Sequence, residues 1–123
     1  MKSTRISESE WQIMSIVWEN PPVAAAAVVE RLGKQKGWHQ RTIRTLLDRL
    51  VRKGALRTTL EGKRYLYDPL IHQEECVRSE SRSFVDRVFG GEPASLLLHL
   101  AKETKLTREE IRELKKVLSE KEK

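Results

Sequence analysis

Length and charge narrow the class of protein before any motif is considered. The chain has 123 residues and carries 24 Lys and Arg against 18 Asp and Glu, a net charge of +6 at pH 7. This length fits one compact domain with an appended oligomerisation element and leaves no room for a second catalytic domain. The single cysteine, Cys76, cannot form an intrachain disulfide and leaves too few thiols for a structural zinc site. We expect a cytoplasmic protein, because the sequence shows neither a signal peptide nor an apolar run long enough to span a membrane.

All of the excess positive charge lies in the N-terminal half of the chain. Residues 1–69 hold 13 basic and 7 acidic side chains, whereas residues 70–123 hold 11 of each. Between Arg31 and Arg64 there are 11 basic residues and only two acidic ones, Asp48 and Glu61. Such a cluster is typical of a surface that faces nucleic-acid phosphates, and a solvated basic face without a partner is the alternative.

Two helices are predicted at the start of the chain. Ser7 and Glu10 have the Ser-x-x-Glu spacing of a capping box, and apolar residues then recur at helical intervals over residues 7–19 until an Asn-Pro-Pro sequence ends the run. The Ala-rich stretch 23–36 predicts a second helix that ends at Gly37. The expected inner face of this helix consists of Ala27, Val28 and Leu32.

A third helix, predicted over residues 40–53, separates an apolar face from a basic one. Its apolar side chains follow the helical spacing of a buried stripe: Ile43, Leu46, Leu47, Leu50 and Val51. Burying that stripe turns the remaining side chains outward, and most of these are Arg and Thr. Asp48 interrupts the basic face, because a carboxylate repels phosphate unless Arg44 or Arg52, four residues to either side, pairs with it.

After Gly54 the sequence pattern changes to that of β-strands. Residues 56–60 and 63–67 are rich in β-branched and aromatic side chains, and Glu61-Gly62 between them predicts a hairpin turn. Asp68-Pro69 is expected to close the hairpin. Three helices followed by a hairpin is the order of a winged helix-turn-helix. We therefore predict a mainly α protein whose residues 1–69 form a winged helix-turn-helix DNA-binding domain.

The third helix of such a domain enters the major groove of DNA, which gives its outward side chains their expected roles. We assign base readout to Gln40, Arg41, Thr42 and Thr45. We assign phosphate contacts to Arg44, Arg49, Arg52, Lys63 and Arg64. The expected partner is double-stranded operator DNA. The alternative is a winged-helix interaction module that binds RNA or an acidic protein.

Residues 70–123 are predicted to be a helical dimerisation domain. A helix runs from Ile71 towards Gly90-Gly91, a second follows Pro93, and a capping box at Thr107 and Glu110 opens a third. One short tail cannot bury all of the apolar side chains, so we expect a homodimer, with folding back onto the chain's own first domain as the alternative. The side chains assigned to dimerisation are Val77, Phe84, Val85, Val88, Leu96, Leu97, Leu100, Ile111, Leu114 and Leu118.

The sequence gives no support for a catalytic or metal site. His39, His72 and His99 lie on different predicted elements, and none of the common catalytic or metal-binding motifs is present. His39 is expected to start a helix. His72 and Cys76 are one turn apart and could hold a metal across a dimer, but a surface His beside a half-buried Cys is the commoner arrangement. We expect no enzyme activity, no metal and no cofactor.

Recognisable motifs run along nearly the whole chain. In order, they are Ile6-Ser7-x-x-Glu10-Trp11-x-x-Met14-x-x-x-Trp18, Trp38-x-x-x-Thr42-Ile43-x-Thr45-Leu46-Leu47-x-Arg49-Leu50-x-x-Lys53-Gly54, Tyr65-x-Tyr67, Glu80-Ser81-x-x-Phe84, Ser95-Leu96-Leu97 and Leu106-Thr107-x-x-Glu110-Ile111-x-x-Leu114. Together they resemble the penicillinase-repressor family, which includes the methicillin-resistance and copper-responsive repressors.

The resemblance implies a homodimeric repressor, often of genes for β-lactamase or an altered penicillin-binding protein, that binds dyad operators with TACA/TGTA-like half-sites. It implies DNA-facing roles for Arg41, Thr42 and Thr45. In the antibiotic-responsive members an inducing protease cuts an Asn-Phe bond in the tail, where this chain has His99-Leu100, a departure that argues against this route of induction. The copper-responsive members end in Cys-x-Cys pairs, whereas residues 119–123 here are Ser-Glu-Lys-Glu-Lys, which argues against copper sensing by that motif.

Overall fold

The structure is mainly helical and contains one small antiparallel sheet. It is a computed structural model that describes residues 5–123. The elements in chain order are α1 Glu8–Glu19, β1 Val23–Ala24, α2 Ala25–Lys36, α3 Gln40–Arg52, β2 Leu56–Glu61, β3 Arg64–Pro69, α4 Gln73–Val88, α5 Pro93–Glu103 and α6 Arg108–Lys121. The predicted order of three helices, a hairpin and three further helices is confirmed.

Local hydrogen bonds explain why α1 and α6 begin where they do. The Ser7 hydroxyl accepts from the Glu10 backbone N–H at 3.2 Å, and Glu10 Oε1 accepts from the Ser7 N–H at 2.8 Å. Thr107 and Glu110 repeat this arrangement with distances of 3.1 and 2.8 Å. Both predicted capping boxes are present, and each satisfies N–H groups that a helix start otherwise leaves unpaired.

The main hydrophobic core lies among α1, α2, α3 and the sheet. On α2 the buried residues are Ala25, Val28 and Leu32. The prediction of Ala27 on this inner face is wrong, since Ala27 is exposed. The reason is helical spacing: residues 25, 28 and 32 are three and four positions apart and share one face, whereas residue 27 lies directly beside 28 and turns away from it.

The hairpin β2–β3 has a two-residue loop. Its last cross-strand pair is Glu61 with Arg64, so the loop consists of Gly62 and Lys63. Gly62 has φ of 64°, a left-handed conformation that suits glycine at the first position of a type II′ turn. The hairpin ends at Asp68-Pro69 as expected, although both residues are part of β3 and pair with β2, so the strand ends two residues later than predicted.

A third strand, β1, was not expected from the sequence. Val23 pairs with Tyr67 and Ala24 with Leu66, which makes β3 the central strand of the order β1-β3-β2. The sequence assigned both residues to the start of the second helix. Two residues are too few to show the alternation of a strand, and their partners are more than 40 positions away in the chain.

The chain divides into two compact units, one that ends at Ser79 and one that runs from Glu80 to Lys123. The division falls within α4. The predicted functional boundary between residues 69 and 70 stays a prediction. Among the helices of residues 5–123, none is both long and apolar enough to cross a membrane.

Candidate nucleic-acid interface

The orientation of α3 follows from its apolar face. Ile43, Leu47 and Leu50 are fully buried and Leu46 is 5% exposed, while Val51 packs half-buried against the same core. An α-helix places residues seven or eight positions apart on one face, so these side chains form a continuous stripe. The opposite side of α3 is therefore turned to solvent.

The side chain of His39 caps the start of α3. Its Nδ1 accepts a hydrogen bond from the Arg41 backbone N–H at 3.0 Å, which confirms that His39 starts a helix. The residues of the first turn, Gln40, Arg41 and Thr42, are all exposed. The unpaired N–H groups and the dipole of a helix start favour anions, so this turn is suited to the surface of DNA.

All nine side chains assigned to DNA contact are exposed: Gln40, Arg41, Thr42, Arg44, Thr45, Arg49, Arg52, Lys63 and Arg64. Seven of them lie on α3, and Lys63 and Arg64 lie at the tip of the hairpin. At 3.6 residues per turn, Arg41, Thr45, Asp48 and Arg52 form the row directly opposite the buried stripe.

Ion pairs within the chain divide its central cations into two classes. Of the 11 basic residues between Arg31 and Arg64, five pair with carboxylates: Arg31 with Glu19, Lys34 with Glu30, Arg49 and Lys53 with Glu10, and Arg57 with Asp68. Within residues 5–123, the other six have no carboxylate within 4.0 Å: Lys36, Arg41, Arg44, Arg52, Lys63 and Arg64. Five of these six lie on α3 or at the tip of the hairpin, so the charge available to a phosphate backbone is concentrated there.

A buried carboxylate on α1 anchors the C-terminal part of α3. Glu10 is fully buried, and its Oε1 accepts from Lys53 Nζ at 2.5 Å, while Arg49 Nε lies 3.9 Å from Oε2. The amino group of Lys53 also donates to the Arg5 carbonyl at 2.9 Å. The sequence indicated only the capping role of Glu10, because contacts 39 and 43 residues away leave no local signal.

Burial of the Glu10 carboxyl would by itself raise its pKa. The hydrogen bonds from Lys53 and from the Ser7 backbone N–H, together with the nearby Ser7 hydroxyl and the Lys53 charge, oppose this and outweigh it. The pKa of Glu10 is therefore lowered below its ordinary value, and the carboxylate is ionised at neutral pH.

Comparison with known proteins decides the class of this domain. The family model described as "Penicillinase repressor" matches residues 6–120. The chain belongs to the penicillinase repressor family. It is accordingly a DNA-binding transcriptional repressor and not an enzyme.

The relatives of the repressor match it along nearly its full length. The penicillinase repressor of Bacillus licheniformis is 34% identical over 119 residues, which are 97% of this chain and 93% of that protein. The methicillin resistance regulatory protein MecI of Staphylococcus aureus strain N315 is 32% identical over 120 residues, 98% of each chain.

Two solved structures are similar to part of the repressor. One is the solution structure of the DNA-binding domain of the repressor BlaI, with TM-score 0.56. The other is monomeric Bacillus licheniformis BlaI in complex with the blaP half-operator, with TM-score 0.54. Each is 34% identical, and each match covers 61% of this chain and 93% of that one. The predicted winged helix-turn-helix fold is confirmed.

Asp48 of the repressor is exposed and lacks the pairing that the sequence suggested. Within the described residues, neither Arg44 nor Arg52 lies within 4.0 Å of its carboxylate. The Asp48 charge also affects Tyr67 on β3. Burial is the main cause that raises the pKa of Tyr67, a hydrogen bond with Thr58 lowers it, and the Asp48 carboxylate adds to the rise. Asp48 is thus a negative charge without an ion pair among the described residues, and it lies at the centre of the basic face.

The remaining histidines and the cysteine of the repressor do not assemble into a metal site. Within residues 5–123, no group of three or more His, Cys, Asp and Glu side chains could hold a metal ion. Cys76 is buried in the main core, whereas His72 is exposed. His99 lies on α5, with its ring 6.1 Å from that of Phe89.

Most side chains assigned to dimerisation are exposed in the single chain. Those exposed by 38% to 54% are Val77, Phe84, Val88, Leu97, Leu100, Ile111, Leu114 and Leu118. Leu96 is half-buried and Val85 is already buried. On α5 and α6, the exposed apolar residues Leu98 and Val117 were not in the predicted set. The dimerisation role of this set stays a prediction.

We expect Glu10→Gln to destabilise the repressor at neutral pH by about 1 to 3 kcal/mol, because it removes a charged hydrogen-bond partner from a buried site. Since the folded pKa is lowered, this stabilisation is complete above the unfolded Glu pKa of about 4.3 and is lost as the pH falls through the lower, folded value. Urea unfolding followed by circular dichroism at about pH 7, 5 and 3 measures the difference. Glu110→Gln, the same change in an exposed capping box, is the control. An equal difference between wild type and Glu10→Gln at all three pH values would contradict the assignment.

Asp48→Asn is expected to strengthen binding to random-sequence duplex DNA by about three- to tenfold, because it removes a charge that repels phosphates at short range. Fluorescence anisotropy with a labelled duplex at low and moderate salt measures this change. Glu120→Gln on α6 removes the same charge outside the basic face and should leave the affinity unaltered. Unchanged or weaker binding by Asp48→Asn would show that its carboxylate does not face the phosphates.

Proposed function

We propose that the protein is a homodimeric repressor that binds a dyad operator in the cytoplasm and controls genes of the β-lactam-resistance type. Each subunit would insert the first turn of α3 into the major groove of one half-site, with the hairpin against the adjacent backbone. The relative of known structure that was solved as a monomer with a half-operator supports one half-site for each subunit.

One observation carries this proposal. The cations that no carboxylate of the described chain engages are concentrated on the solvent side of α3 and at the hairpin tip, while the other side of α3 is buried. Of the five ion-paired cations, only Arg49 lies within α3, and its side chain is 53% exposed. Binding of duplex DNA accounts for this distribution, because a phosphate contact requires a cation with N–H groups that are free to replace a counterion.

The residue roles follow from position along the helix. We infer that Gln40, Arg41, Thr42 and Thr45 read base edges, because the N-terminal part of a recognition helix reaches deepest into the groove. We infer that Arg44, Arg49, Arg52, Lys63 and Arg64 contact phosphates, which fixes the register of the domain without reading sequence.

Dimerisation is supported by the apolar side chains of the second unit. Neither α5 nor α6 has a buried residue, although together they carry six leucines, an isoleucine and a valine. Exposed apolar surface of this extent marks an interaction site. A second copy of the chain would cover this apolar surface symmetrically and would supply the recognition helix for the second half-site.

An inducing protease is the partner that the resemblance adds to this proposal, with the His99–Leu100 bond as its site. Both side chains are exposed on α5. The bond lies in helical backbone, so cleavage would proceed through local opening of α5.

Binding to a duplex with two TACA/TGTA half-sites should be at least about 10³-fold tighter than binding to a scrambled duplex of the same composition.

Arg41→Ala should weaken operator binding by about 1 to 3 kcal/mol and relax base preference. Lys63→Ala should weaken binding to both duplexes alike and reduce the salt slope by about one unit. Anisotropy titrations at several salt concentrations measure all three effects.

Lys116→Ala, which removes a cation from α6, is the control for these titrations. Equal affinity for operator and scrambled duplex would refute sequence-specific repression. Preferential loss of the complex to an RNA competitor would favour an RNA-binding module instead.

Leu114→Glu should convert the protein from dimer to monomer, because it introduces a charge into the exposed apolar row of α6. Sedimentation velocity gives the mass, and circular dichroism checks that the helices persist. The monomer should bind a full dyad no more tightly than a single half-site. Lys116→Glu, on the same helix, should remain dimeric. A wild-type monomer at about 50 μM would contradict the proposed assembly, since a functional dimer has a Kd below this concentration.

A further inference from the structure

Glu10 is a buried carboxylate in which one oxygen accepts hydrogen bonds and the other accepts none within the described chain. Oε1 accepts two hydrogen bonds, from the Ser7 N–H at 2.8 Å and from Lys53 Nζ at 2.5 Å. Within the described chain, no donor makes a hydrogen bond to Oε2. Arg49 approaches this second oxygen, with its Nε 3.9 Å from Oε2. A capping role and the contact with Lys53 use only Oε1, so they do not explain why Arg49 approaches Oε2.

The atom of Arg49 that faces Glu10 determines what the rest of its guanidinium can do. The guanidinium has five N–H groups in a rigid plane, one on Nε and four on the two terminal nitrogens. An approach through Nε leaves all four terminal N–H groups available. The Arg49 side chain is 53% exposed, whereas that of Glu10 is 0% exposed. Arg49 therefore reaches from a buried carboxylate to solvent.

We propose that Glu10 is a positioning residue for DNA binding, which holds Arg49 through Nε so that its terminal N–H groups face a phosphate. This inference rests on the proposed phosphate contact of Arg49. The physical gain is preorganisation: an arginine already held in its bound rotamer loses less conformational entropy when it meets a phosphate. The planar fork makes the arrangement specific for arginine, since a lysine ammonium has no second group for the carboxylate.

The sign of one substitution separates this role from a plain charge effect. If Glu10 acted only as a negative charge near DNA, Glu10→Gln would strengthen binding to every duplex. If it positions Arg49, the same substitution weakens binding, because Arg49 is released to many rotamers. If Glu10 only stabilises the fold, affinity measured well below the unfolding temperature does not change.

The test is a double-mutant cycle on DNA affinity with Glu10→Gln, Arg49→Ala and the double variant. Glu10→Gln should weaken binding by about three- to tenfold. It should have no additional effect when Arg49 is already alanine. Because a phosphate contact is independent of sequence, this coupling should appear with both the dyad and the scrambled duplex. Glu110→Gln, the matched capping-box change on α6, should leave both affinities unaltered.

Arg49→Lys keeps the experiment decisive if Glu10→Gln does not fold. It preserves the charge of an exposed side chain but removes the Nε bridge, so it should weaken binding nearly as much as Arg49→Ala. Additive effects in the cycle, stronger binding by Glu10→Gln, or wild-type affinity of Arg49→Lys would each overturn the inference. The proposed function would fail in a different way, with the wild-type protein binding the dyad and the scrambled duplex equally tightly. In that case the Glu10–Arg49 coupling could still be measured with either duplex.

Discussion

Burial of one face of α3 is the constraint on which the rest of the DNA-binding unit depends. Each fully buried leucine or isoleucine stabilises that orientation by about 1.5 to 3 kcal/mol, whereas an exposed ion pair contributes at most about 1 kcal/mol. The apolar side chains therefore decide how the helix is rotated, and the cations take the positions that remain. The basic face exists because Ile43, Leu47 and Leu50 are fully buried on the other side. No attraction to DNA is needed to form it.

The formal charge of residues 31–64 is larger than the positive charge that is free to contact a phosphate backbone. Glu10, Glu19, Glu30 and Asp68 hold five of its cations in ion pairs within the chain, at distances from 2.5 to 3.9 Å. The cations without an ion pair form a smaller set on α3 and the hairpin, with Asp48 in its middle, and among the paired ones Arg49 is still 53% exposed. A surface of this kind limits sequence-independent attraction, which scales with the number of neutralised phosphates. It leaves a larger share of the affinity to contacts that depend on base sequence, and a repressor that must find one operator in a genome benefits from that balance.

Features set by neighbouring residues could be predicted from the sequence, and features set by distant contacts could not. The capping boxes, the stripe on α3 and the glycine that ends α2 involve residues within a few positions of one another, so the helices were predicted to within a few residues. β1 could not be predicted because its partner strand is more than 40 positions away. The contacts of Glu10 with Lys53 and Arg49 could not be predicted for the same reason, and the capping motif already explained why a glutamate occupies that position. The exposed positions of the candidate site were predictable because they are the complement of the buried stripe.

The second unit raises a different physical problem, because α5 and α6 bury none of their residues in the single chain. A 44-residue segment is too short to enclose a sizeable core alone, so its helices depend on outside contacts for stability. If a second copy supplies those contacts, as proposed, folding of this unit, dimerisation and occupation of two half-sites become one linked equilibrium. Two linked DNA-binding domains then bind the operator with an avidity that neither domain has alone. Any signal that disturbs α5 or α6 can consequently release the operator without touching a single residue of α3.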